Sequence, residues 1–325
     1  MEILLTALRA ASEPTRLRIL ALCLHGELTV SELVRILGQS QPRISRHLKL
    51  LTDAGLLERL REGSWVFYRL KQDGIGADVF TQLAPLLPNE DDQLLRDRER
   101  LAEVKRDREE SAAAYFEKNA ADWDKIRSLH IDDAEVEQAV LKLLGGNDIS
   151  SLIDIGTGTA RMLEVLGPRV GRGLGVDLSS EMLSIARANL NRSALGNCQV
   201  QQGDIYQLPF PSTSFDAATV HQVLHFVDDQ ALAITEAARV LKPGGRLLVV
   251  DFAPHNHETL RTEHNHRRLG FGDEEVAGWF VLAGLEQKEI VRLPGSTLTV
   301  SIWLAEKAAE PSLSNAVLPA SEMAH

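Results

Sequence analysis

The chain has little cysteine, with only Cys23 and Cys198 in 325 residues. Two thiols this far apart exclude a disulfide framework and suit a reducing compartment such as the cytoplasm. No run approaches the ~20 uninterrupted apolar residues that a membrane span requires. The first residues, MEILLTALRAASEPTRLRIL, lack the basic-then-apolar layout of a secretory signal. There is no internal repeat, which excludes a solenoid. A uniformly basic surface is also missing. The net charge is −11, yet residues 1–73 carry 11 Lys/Arg against 8 Asp/Glu while the rest is strongly acidic. Such a chain does not wrap nucleic acid over its whole surface, although its front end is suited to reading DNA. Hydrophobic content of 44% and charged content of 25% are ordinary for a globular protein with two cores.

Four sections follow from the patterning: a first domain over 1–85, a charged helical segment over 86–125, a strand–helix domain over 126–305, and a tail over 306–325 expected to be disordered. Within the second section, 15 of the 22 residues from Asn89 to Glu110 are charged. Leu94, Leu95, Leu101 and Val104 form a sparse apolar seam on it. That pattern fits a solvated spacer or lid, or a helix that pairs with a twin.

In the first domain, Pro14 opens a helix. Thr29 caps a second helix, with Glu32 three residues on, as in a capping box. Ser40 is expected to cap a third, with Pro42 in its first turn. On that third helix Ile44, Leu48 and Leu51 face inward. Ser40, Gln41, Arg43, Ser45, Arg46 and Lys49 fall on the other side and are candidate DNA contacts, since Gln and Arg pair with base edges and Lys and Ser with phosphates. LLERLREGSWVFYRL then alternates around a turn at Glu62-Gly63, a two-stranded wing from which Arg61 and Arg69 would touch the duplex.

In the strand–helix domain, LIDIGTGTAR reads as a short apolar strand, a Gly-rich turn and a helix beginning near Ala160. The glycines allow close backbone approach to a ligand. Asp177 closes the next strand, nineteen residues after Gly158, where an acid accepts hydrogen bonds from ribose hydroxyls. Asp204 follows the third strand, where it can accept from an adenine amino group. A Lys242-Pro243-Gly244-Gly245 turn leads into the fifth strand, and a final antiparallel pair closes the domain. Alternation of strand and helix predicts a mainly parallel, doubly wound sheet.

The first of these runs, residues 5–85, resembles the ArsR/SmtB family of winged-helix repressors. The resemblance implies a homodimer that binds double-stranded operator DNA and releases it when a ligand binds. Metal-sensing members use a Cys-x-Cys pair, where this chain has Thr29 and Ser31. Hydroxyls are poor ligands for soft metals, so no metal site is expected. Residues 110–305 resemble the class I methyltransferases that use S-adenosylmethionine, in the style of the ubiquinone/menaquinone-type and arsenite enzymes. Arg161 stands where a dinucleotide-binding turn has its third glycine, while Gly156, Gly158 and Ala160 fit the methyltransferase form. Together the two resemblances imply an α+β winged helix-turn-helix followed by an α/β doubly wound, seven-stranded, Rossmann-like domain. They imply that S-adenosylmethionine or S-adenosylhomocysteine sits on Asp154, Gly156 and Gly158 at its methionine end, on Asp177 with Leu178 and Met182 at the ribose, and on Asp204 and Ile205 at adenine. His221 and Gln222 would flank the transferred methyl. The segment from Tyr115 to Asp124 resembles the lid helix of such enzymes.

Candidate bases are His221, His225, His264 and His266, with His255 and His257 nearby. Arg267 and Arg268 would hold an anionic substrate or lie exposed. Two thiols are too few for arsenite methylation. No Asn/Asp-Pro-Pro-Tyr/Phe run follows the fourth strand, which argues against DNA methylation. Two readings stay open at this point: a regulator whose rear domain senses the cofactor, and an active small-molecule methyltransferase that regulates its own gene.

Overall fold

The computed structural model describes residues 1–62, 65–71, 74–88, 90–119, 133–144 and 149–309. The front unit holds helices α1 (Glu2–Ala11), α2 (Pro14–Cys23), α3 (Val30–Leu37) and α4 (Gln41–Asp53). Strands β1 (Leu28–Thr29), β2 (Leu57–Glu62) and β3 (Trp65–Leu70) form an antiparallel sheet in the order β1-β3-β2, and α5 (Gly74–Leu83) follows. Thr29 starts α3 through the expected reciprocal capping box with Glu32. Ser40 stands at the N-cap of α4 but its side chain makes no capping hydrogen bond. Ile44, Leu48 and Leu51 are fully buried and pack with Ile19, Leu20, Leu33 and Ile36. The hairpin register pairs Glu62 with Trp65, one residue later than a Glu62-Gly63 turn would require.

The charged segment is neither a spacer nor a free helix. Helix α6 (Asp92–Asn119) lays Leu101 and Val104 into the winged-helix core. Asp97, 1% exposed, takes two hydrogen bonds from the Arg18 guanidinium at 2.6 and 2.7 Å. Arg100 donates to Ile36 O, and Lys105 to His25 O. The expected spacer fails because the seam finds partners inside its own chain. Of its four residues only Leu95 stays largely exposed. The side chains of Tyr115 and Phe116, and all of 120–132, lie outside the described residues, so the lid resemblance falls there.

The rear unit contains α7 (Asp133–Leu144), β4 (Ser151–Ile155), α8 (Arg161–Leu166), β5 (Arg172–Asp177), α9 (Ser180–Arg192), β6 (Cys198–Gln202) and β7 (Phe215–His221). It continues with α10 (Gln230–Val240), β8 (Leu241–Phe252), α11 (Thr259–His264), α12 (Asp273–Leu282), β9 (Leu285–Pro294) and β10 (Thr299–Lys307). The seven strands lie in the order β6-β5-β4-β7-β8-β10-β9; β10 runs antiparallel to both neighbours and the others are parallel. Successive strand residues alternate between two cores. Leu152, Ala217, Leu248 and Ile302 join the face covered by α7, α8 and α9, while Ile153, Ala218, Val249 and Trp303 join the face covered by α10 and α12. Helices on both faces are what allow a parallel sheet to be buried. Strand order reverses between β4 and β7, and an α/β sheet opens its ligand crevice at that point, beyond the carboxyl ends of the strands. Strand β10 pairs through Lys307, so residues 306 and 307 of the expected tail belong to the sheet, and residues 310–325 lie outside the described set. Among the described residues no helix is long and apolar enough to cross a membrane.

Replacing Asp97 by Asn leaves the Arg18 charge without a counter-ion in a mostly buried setting. Breaking a buried pair this way costs about 3–5 kcal/mol. Denaturant unfolding followed by circular dichroism should show that loss, and Arg18→Met combined with Asp97→Leu should recover most of it.

Candidate cofactor and DNA-binding sites

The corner between β4 and α8 is built on a carboxylate held between two hydroxyls. Asp154, 1% exposed, accepts from Thr157 Oγ1 at 2.7 Å and from Thr219 Oγ1 at 2.6 Å. Thr219 lies on β7, so this contact joins the two strands that frame the crevice. The turn is also tied to β5, where Val176 O accepts from the N–H groups of Gly156 and Thr157. Gly156 has φ of 71°, and a Cβ there would come within 2.3 Å of Val223 Cγ2. Both facts require glycine. The helix begins at Arg161, after Ala160 in the left-handed region with φ of 70°. Arg161 does not reach toward a phosphate. It pairs with Glu137 on α7 at 2.7 and 2.9 Å and anchors that helix to the turn.

Asp177 accepts from Gly158 N at 2.8 Å and from Ser179 N at 2.9 Å. Burial pushes its carboxyl above the usual carboxylate range, and backbone N–H groups offset this only in part. Asp204 is exposed and accepts from Tyr206 N. The Tyr206 hydroxyl in turn accepts from Asp228 N and Asp229 N, which ties this loop to the one after β7. Tyr206 was not singled out from the sequence, because its partners are 22 and 23 residues away with no periodic signal.

A single cavity of about 920 Å³ is lined by Asp154, Gly156, Gly158, Asp177, Leu178, Met182, Asp204, Ile205 and His221. The structure thus brings all nine expected cofactor residues together. It adds residues that sequence reasoning missed: Phe226, Asp228, Leu232 and Arg261 from the rear unit, and Glu32, Arg35, Lys105 and Asp107 from α3 and α6 of the front unit. No local pattern marks the last four, since only the docking of the two units places them here.

Of the candidate bases, His221 and His266 line the cavity, while His225 and His264 are not among its lining residues. His225 sits behind it, 2% exposed, with Nδ1 2.7 Å from Asp251 Oδ1 and its ring stacked 4.0 Å from that of His266. A carboxylate on one ring nitrogen fixes the orientation and tautomer of the imidazole. His255 and His257 lie on the chain leading into α11, His257 exposed and His255 only half-buried. Arg267 and Arg268 are neither exposed nor free for an anion. Arg268, 1% exposed, lies between Glu275 at 3.0 Å and Glu27 at 3.4 Å. Arg267 pairs with Asp228 at 2.9 Å and donates to Glu27 O.

On α4, Ser40, Gln41, Arg43, Ser45, Arg46 and Lys49 are all exposed on one side. Lys49 pairs with Asp53 one turn on. Arg61 is exposed on the wing, and so is Arg59, two residues earlier on the same strand face, which the alternation of β2 reveals. Arg69 departs from expectation. It is turned into the interface between the units and bridges Glu58 and Glu275, the latter at 2.8 Å.

Residues 13–59 match a family model described as "Bacterial regulatory protein, arsR family", and residues 153–249 match one described as "Methyltransferase domain". The chain joins an ArsR-family helix-turn-helix to a Rossmann-like methyltransferase domain. It is 32% identical over 155 residues to the demethylmenaquinone methyltransferase of Listeria welshimeri, covering 46% of this chain and 65% of that protein. It is 38% identical over 104 residues to the uncharacterized methyltransferase YcgJ of Bacillus subtilis, covering 32% and 41%. The chain thus spans less than two thirds of the length of these relatives. A chain from the Haloferax volcanii complex containing the Trm112 methyltransferase activator superposes with a TM-score of 0.54 at 21% identity, over 62% of this chain and 99% of that one, a likeness of fold.

Gly156→Ala should lower both the melting temperature and the affinity for S-adenosylhomocysteine, because a left-handed Ala costs about 1–2 kcal/mol before any clash. Calorimetric titration checks the affinity. Adding Val223→Ala should restore part of it by removing the contact with the new methyl.

Proposed function

We propose that this protein is a DNA-binding transcriptional regulator of the ArsR type whose methyltransferase domain binds S-adenosylmethionine or S-adenosylhomocysteine, and that cofactor occupancy is coupled to operator affinity. The observation that carries this reading is the shared cavity. Glu32 and Arg35 stand on α3, the helix that precedes the recognition helix, and they line the same space as Asp154, Asp177 and Asp204. An ion pair of 2.6 Å between Arg35 and Asp107 joins α3 to α6 at this wall. A ligand contacting both units necessarily interacts differently with different arrangements of them, and that difference is the requirement for coupling.

The exposed face of α4, with Gln41, Arg43, Ser45 and Arg46, reads the major groove, and Arg59 and Arg61 follow the backbone from the wing. A homodimer presents two such faces to a palindrome. Ile3, Leu5 and Leu8, exposed on α1, supply an apolar surface for it. The protein acts where its DNA is, in the cytoplasm.

A second reading is favoured by the imidazoles. His221 and His266 at the cavity, with His225 oriented by Asp251 behind them, supply bases for an active small-molecule methyltransferase that also regulates its own gene. The relatives named as demethylmenaquinone methyltransferases support an acceptor of the quinone type for that reading.

Operator affinity, measured by fluorescence anisotropy on DNA from upstream of the protein's own gene, should shift about 5- to 150-fold when S-adenosylhomocysteine or S-adenosylmethionine saturates the cavity. DNA should change cofactor affinity by the same factor. An operator isotherm unmoved by either cofactor would sink the coupling. Arg43→Ala should weaken specific binding by about 1–3 kcal/mol and relax selectivity at one base pair. Transfer of labelled methyl to a quinol, lost in Asp154→Ala, would establish the enzymatic reading.

Cofactor affinity should also depend on pH. Asp177 accepts from ribose hydroxyls best when ionised, and burial holds its carboxyl above the usual carboxylate range. As pH falls through that raised value the carboxyl takes up a proton and binding weakens; above it, affinity is flat. Titrations descending from neutral pH into the acid range should show this, and Asp177→Asn should remove the pH dependence while weakening binding at neutral pH.

A further inference from the structure

Arg267 and Arg268 are neighbours, and both reach Glu27 of the front unit, yet they belong to different networks. Arg268 contacts the Glu27 carboxylate at 3.4 Å and Glu275 at 3.0 and 3.1 Å, and Glu275 accepts from Arg69 of the wing at 2.8 Å. Glu27, Arg69, Arg268 and Glu275 all lie off the cavity lining. Arg267 lines the cavity itself, as do Asp204, Tyr206 and Asp228. Its guanidinium pairs with Asp228 at 2.9 Å, donates to Glu27 O at 3.3 Å and lies 5.7 Å from the centre of the Phe67 ring. One arginine thus joins the units from outside the cavity, and the other joins them from its wall.

Asp228 is held in turn from the loop after β6. Tyr206 N donates to Asp204 Oδ1 at 2.9 Å, and the Tyr206 hydroxyl accepts from Asp228 N at 2.7 Å and Asp229 N at 2.9 Å. The backbone adds a second tie, since Arg267 N and Arg268 N donate to His225 O, on the same loop as Asp228, at 2.9 and 3.1 Å. From Asp204 to Glu27 the route therefore runs through consecutive hydrogen bonds and one ion pair, none longer than 3.3 Å. Burial makes its ends interdependent. Arg267 is 8% exposed, and a guanidinium that buried requires its counter-ion in place. If Tyr206 draws away, two amides lose their acceptor and Asp228 loses its position against Arg267. The arginine then re-pairs, and it does so against Glu27 and Phe67 of the front unit.

We propose that Arg267 is the coupling residue of this protein. The Tyr206 hydroxyl, Asp228 and Arg267 carry the state of the loop after β6 to Glu27 and Phe67, while Arg268 with Glu275 holds the units together whatever the cavity contains. The inference rests on the reading that the adenosyl cofactor occupies the cavity and is coupled to operator affinity, and it names the groups that do the coupling. Glu27 immediately precedes β1 and α3, and α3 packs against α4, so a shift at Glu27 bears on the recognition helix. A ligand-dependent pairing of one arginine is the differential contact that coupling requires.

The test uses the full chain, a DNA fragment from upstream of the protein's own gene, and S-adenosylhomocysteine. Its readout is the coupling factor, the ratio of DNA affinities with and without saturating cofactor, which a variant that weakens both equally does not move. Arg267→Gln and Tyr206→Phe should each lower that factor about 2- to 30-fold. Arg267→Lys, which keeps the charge, should retain more of it than Arg267→Gln. Tyr206→Phe removes one hydroxyl and keeps the ring, so it probes the route without touching the buried charge. Arg69→Gln weakens the other bridge and should leave the factor within about twofold of the parent. Hydrogen exchange at residues 26–29 should respond to S-adenosylhomocysteine in the parent and not in Tyr206→Phe. A parent whose DNA affinity ignores the cofactor overturns the coupling reading and this inference with it. A parent that responds, with the factor unchanged in Tyr206→Phe and Arg267→Gln, overturns this inference alone. So does an Arg69→Gln variant that loses the factor to the same extent, or exchange at residues 26–29 that ignores the cofactor in the parent.

Discussion

One buried guanidinium organises this protein. Arg268, midway along the chain between α11 and α12, is 1% exposed and sits between Glu27 of the front unit and Glu275 of the rear. A buried charge is tolerable only when its partners are complete, and here completion requires both units in place. Glu275 also holds Arg69 of the wing, and Arg267 beside it holds Glu27 O. Arg261 and Arg267 each lie 5.7 Å from the centre of the Phe67 ring on β3. The docking of winged helix on methyltransferase domain is therefore polar and aromatic at its centre.

Everything distinctive about the cavity follows from that docking. A methyltransferase domain alone would expose its crevice beyond the ends of β4 and β7. Here α3 and α6 stand over it, and Glu32, Arg35, Lys105 and Asp107 become lining residues. The same helix α6 is fixed to the winged-helix core by Asp97 and Arg18. The crevice is thus walled in part by the helices that pack against α4 in the front unit. The hydrogen bond from Thr219 to Asp154 ties β7 to β4 at the floor of the same cavity.

Much of the site was readable in advance because its chemistry is local. Gly156 and Gly158 answer a turn geometry set within five residues, and Asp177 and Asp204 stand at strand ends, where spacing alone locates them. Thr29 and Glu32 form their capping box within a single helical turn. What could not be read was which basic residues face water. Arg69, Arg267 and Arg268 look like ligand or DNA contacts in sequence, yet their acids come from elements up to 241 positions away. The charged run after Asn89 misled for the same reason: its density suggested solvent, while Leu101, Val104 and Asp97 had buried partners that no local pattern names.

The sequence by itself determined two folding units, their order, the strand ends that line the cavity, and the exposed polar face of α4. These depend on periodicity, turn residues and caps, which act over a few residues. Only the tertiary structure decided that the two units share one cavity, that Arg69 is turned into the interface between them, and that Arg267 and Arg268 are paired with acids of distant elements. Those outcomes depend on which charges and surfaces meet across long chain separations, and burial makes such meetings costly unless every partner is supplied.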